Sequence, residues 1–337
     1  MDPLSQLLAH PRAQGAFALL MTMRSPWGVH VADQAALTVL IVTGGRSRIV
    51  SADACLDAAG HGRDSSVGEI GGGEIGVGDI ALIRGPRPYR VGDVQGSGTI
   101  AVIEAGQRCV TPDGHPLHLT FAHGLRHWGN DPQGPDSVVV ASYADVGSVG
   151  RFVTDVLPEI AVIPAGGLDP QLVALLVREM SRDGLGQSVV LDRLIDVITV
   201  ETIRAWAAEH PPVDAPWLAG VADPAVKAAL DAMHTRPEHA WTVAGLARLG
   251  AVSRATLAAR FSALVGLPPL RYLARWRLAL ARDLLADRSL TLDAIAARVG
   301  YSSGFALSAA FSRAYGDGPA AYRRRLAGSV DPVGTAG

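Results

Sequence analysis

The sequence predicts an α+β protein of two domains, in which a small antiparallel β-barrel with a helical hairpin is followed by an all-α domain. Three observations support this fold class. The length of 337 residues suits two domains better than one. Short β-branched runs, separated by Gly, Pro and Asp, dominate about the first 140 residues. Helical periodicity prevails after about residue 223, and an apolar fraction of 48% is ample for both cores.

The first domain contains five segments with the length and composition of β-strands. Clusters of Gly, Pro and Asp separate them and supply the turns. The stretch "GEIGGGEIGVGDIALIRGPRPYRVGD" alternates turn and strand, as expected of a small antiparallel barrel or sandwich. The predicted strands are residues 27–31, 37–43, 47–51, 80–84 and 138–143.

Two amphipathic helices are predicted over residues 169–183 and 186–210, where apolar residues recur at the helical period. The second helix has a broad apolar stripe, which favours either a contact between subunits or packing against its own barrel. Residues 210–217 are proline-rich, cannot continue a helix and therefore mark a linker. The stripe consists of Val190, Leu194, Ile198 and Ile203.

The two domains differ in charge. Residues 1–222 carry 15 Lys and Arg against 24 Asp and Glu, whereas residues 223–337 carry 15 against 8. The net charges are therefore −9 and +7, within a total of −2. A basic segment on an acidic body predicts that the C-terminal domain binds a polyanion.

Composition also excludes several functional classes. No apolar run approaches the ~18 residues of a membrane span. The start, "MDPLSQLLAHPR", lacks the basic and apolar regions of a secretion signal. The two cysteines, Cys55 and Cys109, are too few for a disulfide framework and suit a reducing compartment. We therefore expect a cytoplasmic protein without a membrane partner.

The C-terminal domain contains an internal repeat with an offset of 50 residues. Six identical residues share this offset, which indicates a duplicated unit rather than coincidence. The matched pairs are Leu257 with Leu307, Phe261 with Phe311, Ser262 with Ser312, Gly266 with Gly316, Pro269 with Pro319, and Tyr272 with Tyr322.

Each copy of the repeat has the pattern of a helix-turn-helix. A threonine, Thr242 or Thr291, caps a short helix. That helix ends near Gly250 or Gly300, since glycine tolerates a left-handed turn. Any helical hairpin has a similar pattern, but two copies joined by the long helix "PLRYLARWRLALARDLLAD" in a basic segment favour DNA binding. The serines that begin the second helices are Ser253 in one copy and Ser302 or Ser303 in the other.

These motifs resemble known regulators. The second copy, "IAARVGYSSGFALSAAFSRAYGDGPAAYRR", closely resembles the signature of AraC/XylS-type transcription regulators, and "LVGLPPLRYLARWRL" is similar to their linker helix. The segments "SPWGVHV", "GDIALIRGPRPYRV" and "GLRHWGN" resemble the cupin-like domain of one AraC subfamily. The resemblance implies a cupin-like barrel and two helix-turn-helix units on a rigid linker helix. It also implies double-stranded DNA and RNA polymerase as partners.

Helix phase and motif position predict which side chains contact DNA. Arg254 is the candidate for a hydrogen-bonded base contact, with a phosphate contact as the alternative, and Phe305 or an alanine would meet a thymine methyl group. The family often has arginine in place of Ala309, so we expect sequence choice to depend mostly on the first unit and on DNA shape. The predicted DNA-binding residues are Ser253, Arg254, Ala255, Thr256, Ala258, Ala259, Arg260, Ser303, Gly304, Phe305, Ser308, Ala309 and Arg313. Arginines expected to neutralise phosphates lie at positions 271, 275, 277, 282, 298, 313 and 323–325.

The barrel lacks the metal ligands of a cupin enzyme. Cupin enzymes hold a metal with a His-x-His pair, a glutamate and a later histidine. This chain has no His-x-His, and Tyr89 stands where the last ligand is expected. We therefore expect no cofactor and no catalytic residue, and instead a small-molecule effector among apolar walls. The candidate pocket residues are Trp27, Arg87 and Tyr89.

A cluster of four histidines follows Cys109 and leaves an alternative open. Imidazoles and a thiol can bind zinc or copper, and a cysteine near histidines can have a lowered pKa and react with oxidants. The other interpretation is an exposed loop and strand whose histidines have no special role. The candidate metal ligands are His115, His118, His123 and His127.

We interpret the chain as a sequence-specific DNA-binding transcription regulator, not an enzyme, that forms a homodimer and responds to an effector through its N-terminal domain. The first alternative is a redox- or metal-responsive regulator using Cys109 and the histidines. A cupin-type metalloenzyme is disfavoured by its missing ligands, and a DNA-repair enzyme by the small number of cysteines. The predicted domains are residues 1–209 for sensing and dimerisation (with the hairpin at about 169–209), 210–222 as linker, 223–326 for DNA binding, and 327–337 as a disordered tail.

Overall fold

The computed structural model forms two compact units. Within the described residues, one unit contains 17–146 and 154–209, and the other contains 150–151, 220 and 223–328. No helix in the described ranges is long and apolar enough to cross a bilayer. Cys55, His118, most of the 210–222 linker and residues 329–337 of the predicted tail lie outside the described residues. The structure describes residues 17–51, 72–117, 119–124, 126–144, 146, 150–151, 154, 157–209, 220 and 223–328.

The first unit consists of two β-sheets and a helical hairpin. Its described strands, β1 to β13, are Phe17–Met23, Gly28–Ala32, Leu37–Gly44, Arg46–Ser51, Glu74–Gly76, Ile80–Arg84, Tyr89–Gly92, Ala101–Glu104, Arg108–Val110, Ala122–Gly124, His127–Trp128, Asp136–Tyr143 and Ile160–Ile163. One sheet has the order β10-β11-β1-β12-β3-β6-β13, and the other has the order β5-β4-β7-β2-β8-β9. Most neighbours are antiparallel, although β1 pairs with β11 and β2 with β8 in parallel.

The five segments predicted as strands are confirmed as β2, β3, β4, β6 and β12. In β4, Arg46 and Arg48 are exposed while Ser47 and Ile49 are buried, as the two-residue period of a strand requires. Both sheets contribute to one apolar core of the described barrel, for example through Leu40 of β3 and Ile49 of β4. The core therefore lies between the sheets, where the cavity described below also opens.

The predicted helical hairpin is confirmed as α1 (Pro170–Met180) and α2 (Gln187–Glu209). The α2 helix packs against the barrel of its own unit, and Tyr143 Oη lies 2.8 Å from Thr199 Oγ1. The predicted apolar stripe is only partly correct, because Ile198 and Ile203 are buried but Val190 is 43% exposed. The buried stripe instead consists of Leu191, Ile195, Ile198, Thr202, Ile203 and Trp206.

The second unit is entirely helical in its described residues from 223 to 328. Its helices are α3 (Pro224–Thr235), α4 (Val243–Leu249), α5 (Arg254–Val265), α6 (Pro269–Leu284), α7 (Leu292–Val299), α8 (Gly304–Tyr315) and α9 (Pro319–Gly328). Two separate apolar cores form around α4–α5 and around α7–α8. Helix α6 contributes Tyr272 and Leu273 to the first core and Leu278 and Ala281 to the second, so it connects the two repeats.

The predicted N-caps of both repeats are confirmed. Thr242 Oγ1 accepts a hydrogen bond from the Gly245 amide at 3.0 Å. Thr291 Oγ1 accepts one from the Ala294 amide at 3.1 Å. The second helices begin at the two remaining caps, whose hydroxyls accept from the amides of Thr256 and Ala306. These caps are Ser253 and, of the two serines considered, Ser303.

The turn of the first repeat differs from the prediction. Gly300 takes the expected left-handed conformation with φ 83°, but Gly250 has φ −89°. The left-handed residue of the first turn is Ala251, with φ 51°. Gly250 is needed for a different reason, because a Cβ there would lie 2.6 Å from the Cα of Ala225 in α3. The glycine thus permits close packing of α3 against the turn.

Candidate nucleic-acid interface and barrel cavity

The exposed face of α5 contains most of the residues predicted to contact DNA in the first unit. Arg254, Ala255 and Ala259 are exposed, whereas Leu257 and Phe261 are buried in the core below them. The buried pair lies four residues apart and therefore on one side of the helix, which leaves the opposite side free. Of the other predicted residues within the helix, Arg260 is exposed, and Thr256 and Ala258 are half-buried.

Some predicted side chains of the first unit already have partners within the chain. Ser253 Oγ lies 2.8 Å from Thr256 Oγ1, so the two hydroxyls interact with each other at the start of α5. Arg260 Nη1 lies 3.3 Å from the carboxylate of Asp223, the residue that caps α3. Within the described ranges Arg254 forms no ion pair. Arg254 is therefore an exposed cation of α5 whose charge is not paired with a carboxylate in the described part of the chain.

Helix α8 exposes a different set of side chains. Phe305 is 85% exposed and Ala309 lies exposed on the next turn, while Leu307 and Phe311 are fully buried. Together these two exposed side chains give this face of α8 an apolar surface. Of the other predicted residues, Ser308 is half-buried, Ser303 caps the helix, and Arg313 donates to the Ala309 carbonyl at 3.4 Å.

The prediction that Gly304 faces the bases is wrong. Gly304 is buried because the start of α8 packs on the start of α7. Its amide N–H donates to the carboxylate of Asp293 at 2.6 Å. A Cβ would lie 2.9 Å from that same carboxylate oxygen and 3.2 Å from Leu292 Cγ. The position is therefore part of the contact between helices rather than of the exposed face.

Several arginines expected to neutralise phosphates are instead bonded within the second unit. Arg277 donates to the carbonyls of Pro237 and His239 at 2.7 and 2.8 Å, and partial burial lowers the pKa of its guanidinium. Arg282 donates to the Tyr322 hydroxyl at 2.9 Å. Arg323, which donates to three carbonyls, and Arg325, which pairs with Asp317, also have internal partners. The exposed arginines of the predicted set include Arg271, Arg298, Arg313 and Arg324.

The barrel of the first unit contains an open cavity of about 210 Å³ between its two sheets. Tyr89 lines it, as predicted, but Trp27 and Arg87 do not. Trp27 is fully buried in the core and donates from Nε1 to Asp136 at 2.8 Å. Arg87 points outward and pairs with Glu159 at 3.3 Å. The lining residues are Leu19, Met21, Val29, Val31, Asp33, Leu40, Tyr89, Val91, Ile103, Gln107, Cys109, Trp128, Val140 and Ser142.

Polar groups of the cavity are linked to one another. Asp33 Oδ2 accepts a hydrogen bond from Gln107 Nε2 at 3.0 Å. Burial, together with the nearby Asp33 charge, raises the pKa of the Tyr89 phenol well above its usual value, so the phenol stays neutral. Ser142 Oγ lies 3.3 Å from the hydroxyl of Thr38, which also interacts with Tyr89. The cavity therefore combines apolar walls with one carboxylate and a few neutral polar groups.

The structure gives no support to a reactive thiol at Cys109. Burial raises the pKa of Cys109 to about 11, so the thiolate that reacts with oxidants is scarce at neutral pH. This is opposite to the lowered pKa considered for a cysteine near histidines. The side chain lines the cavity and behaves as an apolar wall group.

Of the three described histidines of the cluster, His123 and His127 are neighbours, with ring centroids 5.5 Å apart, and His115 lies apart from them. His127 Nε2 lies 2.7 Å from Thr22 Oγ1, and burial and the neighbouring His123 lower its pKa. His123 Nε2 lies 2.9 Å from the Gly129 carbonyl. His115 is exposed beside Asp113. No group of three or more His, Cys, Asp or Glu that could hold a metal occurs within the part of the chain that the structure describes.

Two polar residues of the cavity, Asp33 and Gln107, are absent from the sequence-based prediction. They lie 74 positions apart and meet only because the strands β2 and β8 pair in parallel. A single sequence contains no local signal for such a pair. The backbone conformation does mark the place, since Gln107 has φ 61° and Gln34, next to Asp33, has φ 62°.

The comparisons with known proteins cover both units. A cupin family model matches residues 2–208, and a helix-turn-helix domain model matches residues 246–325. A putative AraC-like transcription regulator of Streptomyces antibioticus is 34% identical over 256 residues, which cover 74% of this chain and 80% of the relative. A second, from Streptomyces lividans, is 38% identical over 256 residues, with 74% and 79% covered.

Among solved structures, the DNA-binding domain of AdpA in complex with a target DNA is 34% identical to this chain. The match covers 33% of this chain and 99% of the AdpA domain, with a TM-score of 0.31. The cupin match extends over more than half of the sequence, and both Streptomyces relatives are covered over more than two thirds of their length. The chain therefore belongs to the AraC-like transcription regulators, DNA-binding proteins in which a cupin domain precedes a helix-turn-helix domain.

Proposed function

We propose that this regulator binds DNA through α5 and α8, in two consecutive major-groove segments, and responds to a small molecule bound in the barrel. The observation that carries the DNA-binding part is the matching position of two capped, exposed helices, one in each repeat, joined by α6. The 16 residues of α6 span about 24 Å at ~1.5 Å per residue. This length is compatible with two helices that enter successive grooves about 34 Å apart.

The two repeats contribute differently to sequence choice in this proposal. Arg254 of α5 donates to a base edge, which supplies specificity, or to a phosphate, which supplies affinity. Phe305 and Ala309 of α8 provide apolar contacts, for example to a thymine methyl group. The proposed DNA-facing set keeps the other predicted residues of α5 and α8 and omits Gly304. Exposed arginines such as Arg271, Arg298, Arg313 and Arg324 neutralise phosphates.

The proposal for the first unit combines effector binding with dimerisation. Helix α2 still exposes Val189, Val190 and Val197 after packing on its barrel, at 60%, 43% and 45% exposure, on the same face as the exposed Arg193. This partly apolar face suits a second copy of the chain. Effector binding would change how two DNA-binding domains are presented to the operator. The domain limits remain those predicted, with residues 1–209 for sensing, 210–222 as linker and 223–326 for DNA binding. RNA polymerase is the expected partner at a promoter, and the cytoplasm is the expected location.

Selection of bound sequences from a random DNA pool tests the DNA-binding part. The wild-type protein should enrich one motif, and Arg254→Ala should flatten it at one base pair, since a bidentate arginine contact discriminates by about 1–3 kcal/mol. Arg178→Ala, an exposed arginine of α1 in the other unit, is the matched control and should enrich the wild-type motif. An unchanged motif with weaker binding would assign Arg254 to a phosphate instead.

A cavity-filling variant tests the effector part. Val140 lines the cavity, so Val140→Phe should occupy much of it and change transcription from a reporter that carries the selected motif. Val77→Phe is the control, because Val77 is 60% exposed in the same unit. Both variants are first checked for wild-type circular dichroism and for DNA binding. Equal reporter output from the wild type and both variants would contradict an effector site in the barrel.

A further inference from the structure

The cavity walls restrict both the size and the polarity of what can bind. Only three of the 14 lining residues, Asp33, Gln107 and Ser142, have strongly hydrophilic side chains. The cavity volume of about 210 Å³ suits a small molecule. A ligand that fills this space is small and mostly apolar, with a single polar end.

The polar end of the cavity is a carboxylate that retains capacity for a donor. Asp33 Oδ1 accepts from the Ala35 amide at 3.0 Å, and Oδ2 accepts from Gln107 Nε2 at 3.0 Å. A carboxylate has about four lone-pair sites, so these two bonds leave it able to accept from a ligand. The neutral Tyr89 phenol lies close enough to Asp33 for the carboxylate charge to act on it.

The described lining residues carry a negative charge, that of Asp33, and no positive charge. None of the lining residues identified in the described part of the barrel is Lys, Arg or His. A bound anion would therefore lack a counter-charge on the walls and would be repelled by Asp33. A bound ammonium group would gain a charge-assisted hydrogen bond from the same carboxylate.

Backbone strain is concentrated at the same corner of the cavity. Non-glycine residues in the left-handed region cost about 1–2 kcal/mol each, and such strain often accompanies binding sites. Three non-glycine residues of the described chain have positive φ, namely Gln34, Gln107 and Ala251. Two of these three adjoin Asp33, one in sequence and one through its hydrogen bond.

We propose that the effector is a small apolar amine whose ammonium group pairs with Asp33 beside Gln107. This inference rests on the proposed effector site in the barrel and specifies the chemical class of its ligand. The aliphatic and aromatic walls, among them Leu40 and Trp128, bury the hydrocarbon part. Asp33 selects the cationic end and rejects carboxylic acids of the same shape.

Three probes that share one phenyl ring test the proposal by titration calorimetry with the full-length protein at neutral pH. They are 2-phenylethylamine, 2-phenylethanol and 3-phenylpropionate. The amine should bind at least about tenfold more tightly than the alcohol, as expected of a hydrogen bond to a charged group. The propionate should bind no more tightly than the alcohol.

Asp33→Asn identifies the group responsible for this preference. It should weaken amine binding about tenfold or more and leave alcohol binding within about twofold, since it removes charge but little volume. Asp113→Asn removes an exposed carboxylate outside the cavity lining and should leave all three affinities unchanged. Unchanged alcohol binding also shows that Asp33→Asn is folded.

The possible failures are distinguishable. If the alcohol or the propionate binds at least as tightly as the amine and Val140→Phe blocks that binding, the amine assignment is overturned while the effector site stands. An amine preference that persists in Asp33→Asn also overturns the assignment. If no probe binds and Val140→Phe leaves the reporter unchanged, both the assignment and the effector site are contradicted.

Discussion

The two repeats of the DNA-binding unit share a framework but differ on the faces that they expose. In both, a serine caps the second helix, a phenylalanine is fully buried beneath it, and a left-handed glycine ends it. The equivalent phenylalanines are Phe261 and Phe311, and the terminal glycines are Gly266 and Gly316, with φ 75° and 80°. Cores and caps therefore define the framework, because each of these residues contacts the rest of its own repeat.

The two repeats differ at positions of the second helix where the side chain does not pack in the core of its own repeat. Where α5 exposes Arg254 and Ala255, α8 buries Gly304 and exposes Phe305. A side chain that makes no contact inside the protein can vary without loss of stability. The duplicated frame thus exposes an arginine in one repeat and an aromatic ring in the other, on the two faces that we propose contact DNA.

The largest expected effect is a loss of stability when the buried phenylalanine of either repeat is removed. Phe261→Ala and Phe311→Ala should each lower the free energy of unfolding by about 3–5 kcal/mol, because each leaves a cavity in a closed core. Urea unfolding of the full-length protein measures the loss. Hydrogen exchange should locate it in α4–α5 for Phe261→Ala and in α7–α8 for Phe311→Ala, since the two cores are separate.

The exposed Phe305 provides the matched control for those substitutions. Phe305→Ala should change the free energy of unfolding by less than about 0.5 kcal/mol, as is usual at exposed positions. If Phe311→Ala instead removes amide protection from α4–α5 as well, the two repeats unfold as one cooperative unit and the comparison between them fails.

The next largest effect is a loss of stability from substitution of a turn glycine. Gly250→Ala should lower the free energy of unfolding by about 1–3 kcal/mol, because the new Cβ overlaps the backbone of Ala225 and forces α3 to move. Gly266→Ala meets nothing within 4 Å and should cost only the left-handed conformation, about 1 kcal/mol. Urea midpoints of both variants measure the difference. A smaller loss for Gly250→Ala than for Gly266→Ala would show that α3 adjusts freely.

A gain of function sharpens the contrast between the exposed faces. Ala309→Arg should add a preference for guanine at one base pair bound by α8, by about 1 kcal/mol, since arginine pairs with guanine O6 and N7. Selection from a random DNA pool measures this preference. Ala274→Arg, on an exposed position of α6, is the control and should not add a base preference. The same motif from the wild type and Ala309→Arg would indicate that α8 does not approach the base edges.

The smallest expected effect is a gain of stability. Ala251→Gly should raise the free energy of unfolding by up to about 1 kcal/mol, because relief of the left-handed strain exceeds the entropy that glycine adds to the unfolded chain. Ala255→Gly, on the first turn of α5, should lower it by about 1 kcal/mol through reduced helix propensity. Thermal and urea unfolding of both variants provide the test. Destabilisation by Ala251→Gly would mean that the alanine methyl group makes a stabilising contact.

Local and periodic features of this protein were determined by the sequence itself. The strands β2, β3, β4, β6 and β12, the hairpin and the duplicated units follow from spacing along the chain, which sets which side chains share a face. Caps such as Thr242 and Ser303 act on amides three residues away, so the neighbouring sequence suffices to specify them.

Only the tertiary structure decided the features that depend on distant pairs. The Asp33–Gln107 contact requires β2 and β8 to pair, and the burial of Trp27 and Cys109 requires both sheets. The roles of Arg277 and Gly250 depend on how neighbouring helices approach one another. Periodicity specifies which face of an element is apolar, but the partner of that face, and the polar groups enclosed with it, are set by long-range packing.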